Sequence, residues 1–258
     1  ISGSSAATVA TVGKMSIPEL RKRKYPEKLL LGTLAGSGTL GLLIPPSIIL
    51  IIYGVTIEDS IAKLFMAGII PGVMLAVLFM LYVIFWSILN KKLMPKSIKN
   101  FSFVEKVQRS KQLLPVIFLI TSIIGSIYTG IATATEAASL GVVGALILSF
   151  FQGTLSKKTF NLSLLGATKT SCMIAFIIAG STFLSLAMGF TGLPRNLAIW
   201  IDGMNLSPYT LLFVLTIFYI ILGMFLDGIS AVVLTMAIIE PMIRQAGFDM
   251  IWFGIYLV

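Results

Sequence analysis

The chain has 258 residues, of which 57% are hydrophobic and only 11% are charged, and its mean hydropathy is +1.00. Soluble domains carry about 25% charged residues, so this composition excludes a soluble globular protein and predicts a polytopic, all-α membrane protein. With no histidine and one cysteine, Cys172, the sequence excludes disulfides and His/Cys metal sites. We expect Cys172 to be a small packing residue.

The first predicted element is one arm of a re-entrant hairpin at residues 1–13, which are small, mildly apolar and too few to cross a bilayer. A polar, basic segment at residues 14–28 follows. The first residue is not methionine and no signal-peptide pattern is present, so we expect the sequence to begin inside a longer protein. The final apolar run, Trp252–Val258, is too short to span and is expected to be cut as well.

The next element is the apolar stretch Leu29–Val55, which is long enough to cross a bilayer, a distance that takes roughly 20 residues. Its centre reads Gly36-Ser-Gly-Thr-Leu-Gly-Leu-Leu-Ile-Pro-Pro-Ser47. In a helix, Pro45 and Pro46 would leave the carbonyls four residues before them without donors. Such carbonyls are tolerated at membrane depth only inside protein or beside a water-filled cavity. We therefore predict a broken helix whose unwound middle binds an ion or a small solute, with a kinked, ligand-free helix as the alternative.

The rest of the chain alternates between apolar spans and polar segments. A short interfacial helix is predicted around Trp200, inside the loop Thr191–Pro208, and a second hairpin is predicted to begin after Asp227. The further predicted spans are Leu64–Leu89, Leu113–Thr129, Leu140–Phe151, Ser171–Phe190 and Tyr209–Leu226.

The basic residues sort by this predicted topology. Three segments, at 14–28, 90–112 and 153–169, hold six, seven and three of the 19 positive residues. They alternate with loops that carry few positive charges, so the positive-inside rule places the three basic segments in the cytoplasm. This orientation in a bacterial inner membrane accounts for nearly all of the net charge of +9, and it argues against a nucleic-acid partner.

The two ends of the chain share an order of features. Pro18 follows the start of Gly3-Ser-Ser-Ala6 by 15 residues, and Pro241 follows the start of Gly228-Ile-Ser-Ala231 by 13. Each run continues into a short loop and a new span, but the first loop is strongly basic and the second is not. We therefore predict an inverted-topology repeat, an arrangement that in transporters places substrate and coupling-ion sites near the bilayer midplane.

Neutral oxygen ligands, which suit an alkali cation, are the first group of candidate site residues. Serine and threonine hydroxyls and free backbone carbonyls provide such oxygens, and they occur together at Ser4, Ser5, Gly38 and Thr39. We predict one sodium site where the first hairpin tip meets the broken helix. Ser4 and Ser5 could instead cap the hairpin arm, a role that is compatible with ion binding.

Acidic residues between apolar spans are the second group of candidates. Glu136, in Thr133-Ala-Thr-Glu136, could bind substrate, carry a proton or pair with a base, or it could close a capping box with Thr133. Asp227 could bind a cation, orient the second hairpin tip or contact substrate, and Glu240 is expected near the water interface. Because histidine is absent and no nucleophile–base pair is visible, we do not expect an enzyme.

Six stretches, spread over almost the whole chain, match one known family. They are Ser2-Gly-Ser-Ser-Ala6, Gly38-Thr-Leu-Gly-Leu-Leu-Ile-Pro-Pro-Ser47, Ala67-Gly-Ile-Ile-Pro-Gly72, Thr133-Ala-Thr-Glu-Ala-Ala138, Gly223-Met-Phe-Leu-Asp-Gly228 and Phe248-Asp-Met-Ile-Trp-Phe-Gly254. In these stretches the chain resembles the large membrane subunit of tripartite ATP-independent periplasmic (TRAP) transporters, the DctM-like family. One departure is Ala134, where the family usually has proline. The resemblance implies an inverted-repeat, elevator-type fold like that of the ion transporter superfamily, with re-entrant hairpins and a discontinuous transmembrane helix. It also implies helices before the first residue and a second broken helix beyond the last.

The resemblance further implies import of an organic acid, such as a C4-dicarboxylate or sialic acid, with Na⁺ as the coupling ion and no organic cofactor or transition metal. A periplasmic binding protein would deliver the substrate, and a small membrane (Q-type) subunit, separate or fused, would brace the scaffold. By carry-over, the sodium-binding residues are Ser2, Gly3, Ser4, Ser5, Gly36, Gly38, Thr39, Asp227, Gly228 and Ser230, and the substrate residues are Ser47, Thr133, Thr135 and Glu136.

Two alternatives stay open beside this interpretation. One is a stand-alone sodium/divalent-anion symporter that needs no binding protein, and the other is a non-transporting membrane scaffold or ion-conducting subunit. The predicted division of the chain is a first hairpin arm with the broken helix (1–55), a scaffold-type span with its basic connection (56–112), the central spans (113–208) and a second hairpin with a truncated span (209–258).

Overall fold

The computed structural model describes residues 5–95, 113–203 and 207–258 of the chain. Within these ranges every regular element is helical and no strand occurs, as the composition predicts. The helices are α1 Ser5–Lys22, α2 Glu27–Leu43, α3 Ile48–Thr56, α4 Ile61–Leu89, α5 Leu114–Tyr128, α6 Ala134–Phe151, α7 Lys157–Thr191, α8 Leu193–Asp202, α9 Pro208–Gly223, α10 Gly228–Gln245 and α11 Met250–Leu257, with a 3₁₀ turn at Lys91–Leu93.

Four of the described helices, α4, α6, α7 and α10, are long and apolar enough to cross a membrane, and α2 with α3 adds a fifth if the broken pair counts as one span. Large apolar side chains cover the outer surfaces of these helices: Phe85 is 64% exposed, Phe150 70% and Phe176 82%. A surface of this kind is costly in water and is solvated by lipid. The chain is therefore part of an integral membrane protein.

The chain divides into two compact units. The first comprises Ile1–Ser47 and Gly68–Phe160, and the second comprises Ile48–Ala67 and Asn161–Val258. In the first unit, α1 packs along α2 and α5 packs along α6. Glycines set both helix spacings: a Cβ on Gly144 would lie 2.4 Å from Cδ1 of Leu119, and a similar close approach occurs at Gly38.

The core of the second unit forms where α3, α10 and α11 meet. Helix α10 contacts α3, α8, α9 and α11, and α3 also contacts α11. The largest fully buried side chains come from all three helices, with Tyr53 and Leu50 on α3, Met236 on α10 and Phe253 on α11, each 0% exposed. The arm of the second hairpin, α10, and the last described helix, α11, are therefore both packed on α3, the helix that follows the non-helical residues 44–47.

Two of the segments predicted as basic loops are largely helical. Helix α1 continues to Lys22, so only residues 23–26 separate it from α2. A basic helix end is favourable because it complements the helix dipole, and Glu19 accepts a 2.9 Å hydrogen bond from Arg23 one turn away. The prediction of a loop at 14–28 is therefore wrong for residues 14–22 and 27–28, which are helical.

The segment at 153–169, which was also predicted to be a loop, is helical from Lys157 onwards. The hydroxyl of Ser156 accepts a 3.1 Å hydrogen bond from the Thr159 N–H, and this cap starts α7 at Lys157 rather than at Ser171. Likewise, α6 begins at Ala134 rather than at the predicted Leu140. The interfacial helix predicted around Trp200 is confirmed as a helix, α8, whereas residues 96–112 of the third basic segment lie outside the described residues.

The two hairpins match in more detail than the sequence comparison suggested. Pro18 and Pro241 each lie four residues before the last residue of their helix, Lys22 in α1 and Gln245 in α10. Four residues, 23–26 and 246–249, then separate each helix from the next one. The two helices thus share the position of their proline and the length of the following connection, while the inverted-topology repeat stays a prediction.

Candidate functional site

The break in the first discontinuous helix lies at residues 44–47, in the C-terminal part of the stretch that the sequence singled out. Pro46 has no N–H, so a continued helix would leave the Leu42 carbonyl without its donor. The hydroxyl of Ser47, which is 0% exposed, donates a hydrogen bond to this carbonyl. Ser47, predicted to lie near the substrate path, thus compensates for the missing donor of Pro46 and is buried inside the break.

The Gly36–Thr39 segment, predicted as an ion-binding turn, is part of helix α2. The Thr39 hydroxyl donates a 2.7 Å hydrogen bond to the Gly36 carbonyl within that helix. Gly36 faces α4, since a Cβ there would lie 3.4 Å from the Phe79 ring, whereas Thr39 is exposed. The unwound part of the predicted broken helix is therefore confined to residues 44–47, and the backbone at Gly36–Thr39 is helical.

The described start of the first hairpin arm, at Ser5, lies beside Gly38 of α2. A Cβ on the buried Gly38 would lie 2.3 Å from Cγ2 of Val9 and 3.5 Å from the carbonyl oxygen of Ser5. Only glycine allows this approach, so Gly38 brings the first turn of α1 against the middle of α2. The structure thus brings together Ser5 and Gly38 of the predicted sodium site, while Ser2, Gly3 and Ser4 lie outside the described residues.

The Thr133–Glu136 segment forms the capping box that the sequence offered as one alternative. The Glu136 N–H donates to the Thr133 hydroxyl at 3.3 Å, and the Thr133 N–H donates to Glu136 Oε2 at 2.8 Å. The Thr133 hydroxyl donates to the same Oε2 at 2.8 Å. Both residues and Thr135 are exposed at the start of α6. The carboxylate therefore has a structural role and keeps its other oxygen on the surface of the unit.

The second hairpin tip is organised by Asp227, the N-cap of α10. Its carboxylate accepts hydrogen bonds from the N–H groups of Ile229 and Ser230, at 3.1 and 3.3 Å, and from the Ser230 hydroxyl at 2.5 Å. Gly228 lies against α3, because a Cβ there would be 2.8 Å from Cδ1 of Ile49. Asp227, Gly228 and Ser230, which were predicted to bind sodium, thus lie together at one helix terminus, and each is exposed or half-buried.

Some polar contacts between helices of the second unit were not predicted from the sequence. The buried Ser181 on α7 donates a 2.6 Å hydrogen bond to the Val233 carbonyl of α10. Tyr219 on α9 and Thr235 on α10 share a hydrogen bond of 2.7 Å. Isolated hydroxyls in apolar helices are the available signal for such contacts, but their partners lie far away in sequence. These bonds hold the hairpin helix whose tip is Asp227.

The whole chain, residues 1–258, matches the family model described as the tripartite ATP-independent periplasmic transporter, DctM component. It is 32% identical over 259 residues to a C4-dicarboxylate TRAP transporter large permease protein of Pseudomonas aeruginosa, covering 100% of this chain and 60% of that protein. It is 31% identical to an isethionate TRAP transporter permease protein, DctMQ, of Oleidesulfovibrio alaskensis, covering 100% of this chain and 40% of that protein.

A third relative is the 2,3-diketo-L-gulonate TRAP transporter large permease protein of Escherichia coli. The identity is 30% over 265 residues, and the match covers 100% of this chain and 60% of that protein. The chain thus spans between 40% and 60% of the length of these three relatives.

Proposed function

Because the chain belongs to the DctM component family of tripartite ATP-independent periplasmic transporters, we propose that the protein containing it imports an organic acid across the bacterial inner membrane. The observation that carries this proposal is the match of the family model to every residue of the chain. The names of the three relatives mention C4-dicarboxylate, isethionate and 2,3-diketo-L-gulonate, which are all small organic anions. A substrate of this class is proposed here, with sialic acid as one candidate from the family resemblance.

Transport is proposed to be secondary and coupled to sodium. The features that support this are the neutral oxygens of the first hairpin tip at Gly38 and the Asp227 carboxylate at the second tip. Hydroxyl, carbonyl and carboxylate oxygens are the ligands that hard cations prefer. The matching positions of Pro18 and Pro241 near the ends of α1 and α10 support a repeat architecture, and in transporters such repeats move one part of the protein against the other in alternating access.

A periplasmic binding protein and a small membrane subunit are proposed as partners. The name of the isethionate relative, DctMQ, joins the M and Q components, which supports a small Q-type subunit as a partner. For the present protein this subunit is proposed to be either separate or fused. The proposal makes the protein a transporter rather than an enzyme. Its binding protein is the feature that distinguishes it from a stand-alone sodium/divalent-anion symporter.

Reconstitution tests these elements together. The full-length permease, with its small subunit, is placed in proteoliposomes, and uptake of a radiolabelled organic acid is followed with and without a sodium gradient and with and without the binding protein. We expect uptake only when both are present. Uptake at the full rate without the binding protein would instead support the stand-alone symporter, and an ion current without solute uptake would support the ion-conducting alternative.

A further inference from the structure

A groove of about 560 Å³ lies between α2 and α4 in the first unit. Its walls include Gly32, Thr33 and Gly36 on α2, and Phe79 and Met80 on α4. The Thr33 hydroxyl, one of the few polar groups in the walls, donates to the Leu29 carbonyl of its own helix at 2.7 Å. The walls therefore present almost only hydrocarbon, which suits an apolar chain rather than a polar solute.

The register of the two helices shows where the groove ends. A Cβ on Gly36 would lie 3.4 Å from the Phe79 ring, and one on Gly72 would lie 2.7 Å from Cγ1 of Ile44. Residues earlier in α2 therefore lie beside residues later in α4, and the two helices run antiparallel. The start of α2 and the end of α4 consequently lie at the same end of the groove.

Lysines cluster at this end. Lys28 precedes Gly32 by one helical turn on the same face of α2, and Lys91 and Lys92 lie in the 3₁₀ turn that begins two residues after the end of α4 at Leu89. All three are exposed, and none forms an ion pair with another of the described residues. The adjacent acid, Glu27, is already paired with Arg21. This end of the groove thus carries a positive charge that no carboxylate among the described residues neutralises by an ion pair.

We propose that this groove binds an anionic phospholipid, with an acyl chain between α2 and α4 and the headgroup phosphate at Lys28, Lys91 and Lys92. An apolar groove that ends near lysines without an ion-pair partner among the described residues is complementary to both the acyl chain and the headgroup of such a lipid. Basic pockets between transmembrane helices on the cytoplasmic side favour anionic headgroups, and the predicted orientation places these lysines on that side. The site depends only on the membrane location of the chain and is independent of the proposed transport function.

Photolabelling tests the proposal. The full-length permease with its small subunit is purified and incubated with phosphatidylglycerol or phosphatidylcholine that carries a diazirine in one acyl chain. Labelled peptides are then identified by mass spectrometry. We expect phosphatidylglycerol to label the peptides that contain Phe79 and Met80 at least about fivefold more than phosphatidylcholine does, since a single lysine near the membrane surface contributes a factor of roughly five.

Two kinds of variant separate the headgroup from the acyl chain. The triple variant Lys28→Gln/Lys91→Gln/Lys92→Gln should lower phosphatidylglycerol labelling to the level of phosphatidylcholine. The variant Gly32→Leu should lower labelling by both lipids, because a Cβ at Gly32 meets nothing within 4 Å and the larger side chain can enter the groove. Ala76→Phe fills the same groove from the opposite wall and repeats the test if Gly32→Leu folds poorly.

Matched controls come from the start of α7, a helix that contributes no residue to the groove walls. Lys157→Gln/Lys158→Gln removes two exposed lysines, and Gly166→Leu adds a side chain at another glycine with nothing within 4 Å. Both should label as the unaltered protein does. Equal labelling by the two lipids, or unchanged labelling of the triple lysine variant, would overturn the proposal. A photo-crosslinker at Met80 that reacts with the small subunit in place of lipid would overturn it too, by identifying a protein helix as the occupant.

Discussion

The Tyr53 hydroxyl donates a 2.6 Å hydrogen bond to the carbonyl of Met250, which is 197 residues away in sequence. The Tyr53 ring also lies against Gly254, one turn further along α11, where a Cβ would be 2.3 Å from Cε1. Tyr53 is fully buried. This contact joins α3, which follows the break in the first discontinuous helix, to the last helix of the chain.

Gly254→Ala should destabilise the second unit. The added methyl group would overlap a buried ring that cannot give way easily, and overpacking of this kind costs about 1–3 kcal/mol. The thermal melting temperature of the purified full-length permease measures the effect. Gly166→Ala is the matched control, since a Cβ at that glycine meets nothing within 4 Å, and it should melt no lower than the unaltered protein because alanine favours a helix more than glycine does. Equal melting temperatures for the two variants would contradict the packing described here.

Ser47→Ala should also lower stability. The substitution removes the hydroxyl that donates to the Leu42 carbonyl, and a buried polar group without a partner costs about 1–3 kcal/mol. Ser87→Ala is a suitable control, because the Ser87 hydroxyl donates at 2.7 Å to the Val83 carbonyl in the regular helix α4. That helical carbonyl keeps its backbone donor, so the control should melt within experimental error of the parent. A Ser47→Ala protein of full stability would show that the break is supported in another way.

Asp227→Asn should weaken sodium activation of uptake while the protein stays folded. Asparagine caps a helix about as well as aspartate, so the substitution removes the charge and preserves the cap. Asp249, the N-cap of α11 that accepts a 2.8 Å hydrogen bond from the Trp252 N–H, provides a matched control. We expect the sodium concentration for half-maximal uptake to rise about tenfold for Asp227→Asn and to be unchanged for Asp249→Asn. The same sodium dependence in both variants would remove Asp227 from the proposed cation site.

Thr133 and Glu136 allow the capping role to be separated from the proposed substrate role. Glu136→Gln keeps an oxygen at the capping position and should retain the parent melting temperature, whereas Thr133→Val removes the cap and should cost about 1 kcal/mol. If the carboxylate also contributes to transport, the uptake rate of Glu136→Gln should fall. We expect a loss of roughly tenfold, which corresponds to the free energy of one hydrogen bond to a charged group. Unimpaired uptake by Glu136→Gln would leave Glu136 with the cap alone.

Features set by residues close together in the chain were predictable. Composition is sufficient for the all-α membrane class, because only apolar helices satisfy their own backbone groups in lipid. The capping box at Thr133 and Glu136 depends on residues three apart, and the break before Ser47 follows from two consecutive prolines. Asp227 could be singled out because an acid beside a glycine after a long apolar run is rare in a membrane protein.

Local composition could not predict whether a segment is a loop or a helix where both conformations expose the same side chains. The basic residues at 157–169 are solvated equally well in a loop or on an exposed helix, so their charge could not reveal that α7 begins at Lys157. The same ambiguity applies to Gly36–Thr39, whose small residues suit either an unwound turn or a closely packed helix. The packing of Gly38 against Val9 decides for the helix, and that contact joins two different elements.

By itself, the sequence determined the membrane class, most of the spans and the proline break, because each depends on composition or on neighbours within one helical turn. It offered the Glu136 capping box only as one of several roles for that residue. The tertiary structure alone decided that Tyr53 binds the Met250 carbonyl, that Ser181 binds that of Val233, and that an apolar groove lies between α2 and α4. Those relationships depend on which helix faces meet, and the side chains that meet there are separated by tens to hundreds of residues.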